Sequence, residues 1–201
     1  MKKDSQRSRG RPRAFDKDAA IDAATQVFWR LGYANASLDE LTTAMKLSRP
    51  SLYSAFGDKE GLFLTCLESH GGAIAARVHE AANSDGDVRE ILSNILMSAL
   101  KIYTLPDPVP RGCLFAAASL SDVTLSPDLR EAVTAQLARI SRETASVIER
   151  APPTHMPADA AARLFSSMLY GFASRARLGE SLEVLSSDAE DMLNLLYPKS
   201  E

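Results

Sequence analysis

The sequence predicts an all-α protein of about nine helices, divided into an N-terminal three-helix helix-turn-helix unit and a larger C-terminal helical body. Three observations predict it. Apolar residues recur at three- and four-residue steps through most of the 201 residues. No stretch sustains two-residue alternation, and no Asn-Gly hairpin signal occurs. Capping residues and glycine or proline stops bracket the periodic segments at helix length.

Taken in order, residues 1–15 are polar, basic and poor in apolar side chains, so a disordered arm is expected. A first helix starts at Asp16, with Ile21, Ala24, Phe28 and Leu31 on one stripe and Gly32 as its stop. Ser37 with Glu40 three residues on is a capping box. It opens a second helix whose buried face carries Leu38, Leu41 and Met45. Lys46-Leu47 turns the chain, and Ser48 caps a third helix. Pro50 is tolerated in its first turn, where no intrahelical donor is needed. Gly57-Asp58 breaks that helix, and Asp58 caps a fourth that runs to about Ala82.

Asn83-Ser84-Asp85-Gly86 reads as a linker. A fifth helix follows over residues 88–105, with Ile91, Leu92, Ile95, Leu96 and Ala99 as its stripe. Pro106, Pro108 and Pro110 make a stiff, extended loop. A short buried helix is expected over 111–123 and a longer one from Ser126-Pro127 to near Arg150. After a proline-rich loop over 151–157, two more are expected at 158–178 and 187–197. The expected division is an arm at 1–15, a helix-turn-helix domain at 16–56 and a larger helical body at 57–201.

Composition narrows the class. Hydrophobic content of 45% with 24% charged residues is that of a soluble globular protein. No apolar run approaches the roughly 18 residues of a membrane span, and no apolar segment follows the charged N-terminus, so no secretory signal is expected. Two distant cysteines, Cys66 and Cys113, form no CxxC pair, which argues for a reducing compartment and a cytoplasmic protein. The net charge of −3 hides an asymmetry. Residues 1–59 carry 11 Lys+Arg against 7 Asp+Glu, while the rest carry 12 against 19. A positive N-terminal part on a negative body suits a polyanion reader.

Motifs for catalysis are missing. There is no GxSxG, GxxxxGK[ST], HExxH or Rossmann fingerprint, and His70, His79 and His155 form no pattern. Neither an enzyme nor a cofactor is expected. Cys66 and His70 stand at metal-binding i, i+4 spacing, but no third ligand is evident and no metal site is expected.

The helix-turn-helix is the informative segment. With Leu52 and Phe56 buried, Arg49, Ser51, Tyr53 and Ser54 are left outward near the start of the third helix. Such a helix enters the major groove with its N-terminal residues at the base edges. Arginine can donate twice to guanine O6 and N7, and Tyr53 and Ser51 can bond phosphate oxygens. Ser37, at the start of the second helix, exposes amides where the dipole favours phosphate. In the arm, Arg9-Gly10-Arg11-Pro12, with Arg13 beside it, resembles an AT-hook whose arginines fit an A·T-rich minor groove. The competing reading is a nonspecific electrostatic tail.

Residues 16–67 resemble the DNA-binding domain of the TetR/AcrR family of one-component bacterial transcriptional regulators. The resemblance is carried by Phe28-x-x-x-Gly32-Tyr33, by Ser37-Leu38-Asp39-Glu40-Leu41, by Ser48 through Phe56, and by Gly57-Asp58-Lys59-Glu60-x-Leu62-Phe63. It implies that Ser37, Arg49, Pro50, Ser51, Tyr53 and Lys59 lie at the DNA interface, with Tyr53 and Lys59 on backbone phosphates. Lys46 departs from the pattern, standing where the family commonly has glycine. If the turn needs positive φ, that lysine costs about 1 kcal/mol.

Beyond residue 80 the resemblance implies a helical regulatory domain with an internal ligand pocket, dimerising through the last two helices. Leu164, Phe165, Met168, Leu169 and Phe172, and Leu185, Met192, Leu193, Leu195 and Leu196, form apolar faces that fit a four-helix interface. The same stripes would also fill a monomer core. Candidate ligand-lining residues are Cys66, His70, Met97, Tyr103, Cys113, Phe115, Met168 and Phe172, which suit a mostly apolar small molecule. Cys113 is expected to be an inert core thiol. The alternative places it at a helix N-terminus beside Arg111, where dipole and charge would lower its pKa.

The expected function is therefore a ligand-responsive DNA-binding regulator, in repressor form. It would hold an inverted-repeat operator in double-stranded DNA as a homodimer and be released by a small apolar or electrophilic effector, with no membrane partner. The alternative is an activator or architectural DNA-binding protein without an effector.

Overall fold

The computed structural model describes residues 15–107, 109–110, 112–121 and 126–198. Nine helices occur among them. α1 (Lys17–Asn35) is capped by Asp16, whose carboxylate accepts from the Ala19 amide at 3.0 Å. Gly32 leaves the helical path (φ 77°, ψ 163°), so the expected stop is a kink, and one further turn reaches Asn35. α2 (Leu38–Met45) starts from the expected capping box, with the Ser37 amide donating to Glu40 Oε2 at 2.9 Å and the Glu40 amide to Ser37 Oγ at 3.2 Å. Lys46 closes α2 in the left-handed region (φ 54°, ψ 37°), the only described non-glycine residue with positive φ. The strain expected of a lysine in that turn is therefore present.

α3 (Arg49–Phe56) is capped by Ser48 and buries Leu52 and Phe56. α4 (Lys59–Ala82) follows almost at once, capped by Asp58. The two helices meet so closely that a Cβ on Gly61 would lie 2.2 Å from the Phe56 carbonyl oxygen. α5 (Val88–Tyr103) stops two residues before the expected end, and a two-residue antiparallel pairing of Pro106–Asp107 with Val109–Pro110 occupies the proline loop. α6 (Leu114–Ser121) starts later than expected. Gly112 at φ 63° sends its amide back to the Tyr103 carbonyl at 3.0 Å, so the chain must turn before it can wind. α7 (Pro127–Arg150) and α8 (Ala158–Arg177) match their expected bounds closely. α9 (Leu182–Leu196) begins five residues earlier than expected, because Ser181 caps it by accepting from the Val184 amide.

The core has two clusters. The first joins α1–α3 to the first half of α4, to Cys113 and α6, and to the start of α7, around Phe28, Phe63, Leu41, Leu52 and Phe115. Phe28 and Phe63 are in tilted contact at 4.6 Å between ring centroids, a favoured aromatic geometry. The second joins the end of α4 to α5, α7, α8 and α9. α4 and α7 run through both, packed along each other, and a Cβ on Gly71 would strike the Gln136 side chain at 2.4 Å. No described helix is long and apolar enough to cross a membrane.

Candidate nucleic-acid interface and effector cavity

Because Leu52 and Phe56 turn α3 inward, its other face is open. Arg49, Pro50, Tyr53 and Ser54 are exposed, Ser51 is half-buried, and Tyr53 leaves 45% of its surface in solvent. A tyrosine so exposed contributes little to the core. Ser51 is also tied to the cap, its amide donating to Ser48 Oγ and its hydroxyl sharing a 2.9 Å bond with the same oxygen. Arg49 is held by α2: its Nη2 and Nε donate to Asp39 Oδ1 at 2.7 and 3.2 Å. That bond raises the Arg49 pKa. Lys59 donates to the Ala34 carbonyl at 3.2 Å, with Nζ 4.7 Å from the Tyr33 ring centroid, so the last turn of α1 orients it.

Ser37 is more committed than the sequence suggested. Its own amide and hydroxyl are both engaged by Glu40, whose carboxyl is held below its usual range by those bonds. Arg9, Arg11 and Arg13 lie outside the described residues.

The body contains a cavity of about 250 Å³. Its walls come from α1 (Trp29), α4 (His70, Ile74), α5 (Tyr103), Cys113, α7 (Ser141) and α8 (Tyr170), among others. Of the eight residues nominated from sequence, His70, Tyr103 and Cys113 line it. The other five do not. Cys66 is buried against α1, its thiol donating to the Ile21 carbonyl at 3.7 Å. Phe115 stacks on His70 from within the first core cluster, at 5.8 Å. Met97 packs half-buried against the second cluster, of which Met168 and Phe172 are buried members. Sequence reasoning missed Trp29, Ser141, Ser166 and Tyr170. The available signal was polar residues on the inward faces of apolar helices: Ser141 and Ser166 now share a 3.0 Å bond there.

Cys113 is buried at the cavity wall. Burial pushes its thiol pKa up and outweighs the neighbouring Ala116 and Phe115 amides and the Tyr103 hydroxyl, which favour thiolate. Arg111, which would have helped to lower it, lies outside the described residues. Burial likewise raises Tyr103 well above a normal phenol and lifts Cys66 to about 11. His70 is lowered to about 4, by burial first and Arg77 second, and is neutral at physiological pH. Among the described residues no three His, Cys, Asp or Glu side chains gather to hold a metal.

The cavity is joined to the helix-turn-helix unit by contact. Trp29 belongs to α1 and meets His70 edge-on at 4.7 Å. From α8, Arg177 donates to the Trp29 and Arg30 carbonyls at 3.2 and 3.4 Å, next to the Gly32 kink. Gly112, adjacent to Cys113, lies so near that turn of α8 that a Cβ would be 2.8 Å from the Ala173 carbonyl oxygen.

Known proteins share this fold. The sequence model of the family described as bacterial regulatory proteins, tetR family, matches residues 20–66, from α1 into α4. The HTH-type transcriptional repressor ComR of Escherichia coli (strain K12) is 32% identical over 200 residues, spanning 94% of this chain and 92% of ComR. The HTH-type transcriptional repressor BdcR of the same strain is 29% identical over 180 residues, spanning 90% of this chain and 88% of BdcR. Among solved structures, a cysteine mutant of the TetR family transcriptional regulator CifR, complexed with 26 bp double-strand operator DNA, has a TM-score of 0.82 at 32% identity. That match covers 94% of this chain and 100% of the CifR chain. With likeness extending over nearly the whole length, this chain belongs to the tetR family of bacterial regulatory proteins, and it is a transcriptional regulator rather than an enzyme.

Proposed function

We propose that the chain is a cytoplasmic, homodimeric repressor that holds an inverted-repeat operator and releases it when a small, mostly apolar or electrophilic effector fills the cavity. Residues 16–56 read DNA, while residues 57–201 bind the effector and dimerise. The observation that carries this reading is shared walls. α4, which packs against the DNA-facing α3, and α1, which packs against α2 and α4, also supply His70 and Trp29 to the cavity. An occupant that favours one placement of those side chains therefore biases the placement of α3, in proportion to its differential affinity for the two states. The cavity's Ile, Leu, Val and Ala lining favours an apolar molecule, and an electrophile admitted there would meet the Cys113 thiol.

Arg49 and Tyr53 present the reading face, Pro50 and Ser51 set the start of α3, and Lys59 and Ser37 flank it toward phosphates. Arg9, Arg11 and Arg13 would extend the contact into the minor groove. Two such faces are needed for two half-sites about one helical turn apart. The repressor names of ComR and BdcR and the operator complex of CifR support the same assignment.

The test is selection of duplexes from a random pool, followed by binding measurements on the recovered repeat. Arg49→Ala should cost about 1–3 kcal/mol on that repeat and relax base preference. Lys59→Ala should weaken all duplexes alike and reduce the salt slope by about one. Recovery of no repeat, or identical behaviour of the two variants on specific and random DNA, would overturn the assignment. A footprint unchanged by any small molecule would favour the effector-free alternative.

A further inference from the structure

Two exposed, opposite charges meet across the helix-turn-helix. Arg49 is the first residue of α3 and Asp39 the second of α2. Their side chains are 53% and 77% exposed, and a solvated pair of this kind contributes little to stability. Its geometry is nevertheless specific: Nε and Nη2 of Arg49 both donate to Asp39 Oδ1, at 3.2 and 2.7 Å. A guanidinium is a rigid planar fork with five donors. With the Nε–Nη2 edge on the carboxylate, the Nη1–Nη2 edge remains as a second pair of donors. Guanine offers two acceptors, O6 and N7, in the major groove to match such an edge.

An arginine without this brace has an alternative on any duplex. It can swing to a phosphate, which gains affinity and reads nothing. A carboxylate at the root of the fork opposes that choice twice, by holding the guanidinium and by repelling phosphate oxygens.

We propose that Asp39 is a positioning residue for operator recognition, holding Arg49 so that its Nη1–Nη2 edge faces a guanine and discouraging its diversion to the DNA backbone. This rests on the reading of Arg49 as a base contact. Asp39 thereby raises specificity while lowering affinity for arbitrary DNA, the reverse of what a purely attractive contact does.

The experiment compares the wild type with D39N, D39E, R49A and the double variant D39N/R49A. The probes are the duplex recovered by selection from a random pool and a scrambled duplex of equal length, each at several salt concentrations. D39N is nearly isosteric at an exposed position, so the fold should be kept, and equal thermal melting of the variants verifies it. The expected result is a fall of at least about fivefold in the ratio of selected to scrambled affinity for D39N. Affinity for the scrambled duplex should rise, and its salt slope should steepen by about one per subunit. D39E should recover part of the ratio, and D39N should change nothing further in the R49A background. An unchanged ratio in D39N, or equal weakening on both duplexes, overturns the role of Asp39. If R49A loses the ratio and D39N keeps it, only the brace fails. If R49A keeps it, the base contact and the brace fall together.

Discussion

At the scale of single residues, His70 shows how one side chain serves both core and cavity. It lies between Trp29, at 4.7 Å, and Phe115, at 5.8 Å, and its Nε2 is buried with no hydrogen-bond partner among the described residues. The unfolded chain takes up a proton here near pH 6.5, the folded one only near pH 4. Stability conferred by the neutral ring is thus complete above pH 6.5 and declines as pH falls toward 4, by about 3 kcal/mol at most. His70→Phe, which keeps an aromatic ring in the stack, should flatten that acid limb. Urea midpoints measured from pH 7 to 4 would show it, and parallel limbs in the two proteins would contradict it. Cys113 teaches a related lesson. Helix-terminal amides favour its thiolate, yet burial outweighs them, so its reactivity depends on what the cavity admits rather than on a standing negative charge.

At the scale of elements, the link between body and reading head runs through three helix ends. α6 begins at the Gly112 turn, α8 ends at Arg177, and α1 kinks at Gly32, all within one neighbourhood. Two substitutions probe it. Gly112→Ala places a Cβ at φ 63° and against the Ala173 carbonyl, and should destabilise by more than about 1 kcal/mol in thermal unfolding. Arg177→Ala removes charged donors from the Trp29 and Arg30 carbonyls just before the Gly32 kink of α1 and should cost about 1–2 kcal/mol. Hydrogen exchange should quicken over residues 29–36 in that variant, while α9 is unaffected. Uniform quickening, or none, would show that Arg177 does not hold the end of α1.

At the scale of the whole molecule, the proposed homodimer would have to rest on the outer faces of α8 and α9, because most of their apolar stripes are buried within one chain. Phe165, Met168, Leu169 and Phe172 of α8, and Leu185, Leu193 and Leu196 of α9, all point into the protomer's own core. Outside, the same helices expose Leu164, Val184 and Leu195, the last at 72%, with Leu178 exposed just after α8. Gly171 lies on the exposed side with nothing within 4 Å of the position its Cβ would take. A leucine there meets no steric obstacle inside one protomer but would hold two helices apart. Gly171→Leu should therefore leave the monomer folded, abolish the dimer in sedimentation, and weaken the selected repeat far more than a single half-site. A variant that stays dimeric would place the interface elsewhere.

The sequence by itself determined the helices, their caps and the outward face of α3, because these follow from interactions within about four residues. Ser37 with Glu40, Ser48, Asp58 and Ser126 each satisfy amides of their own first turn, and the Leu52–Phe56 spacing sends Arg49 and Tyr53 outward whatever lies beyond. Where local signals were weak, as before α6 and α9, boundaries moved. Membership of the cavity, the placement of Arg177 on α1, the brace of Asp39 on Arg49 and the balance of charge at Cys113 were decided only by tertiary structure. Each depends on which residues, from 10 to 148 positions apart, are brought together and how much water they exclude, and no local periodicity encodes either.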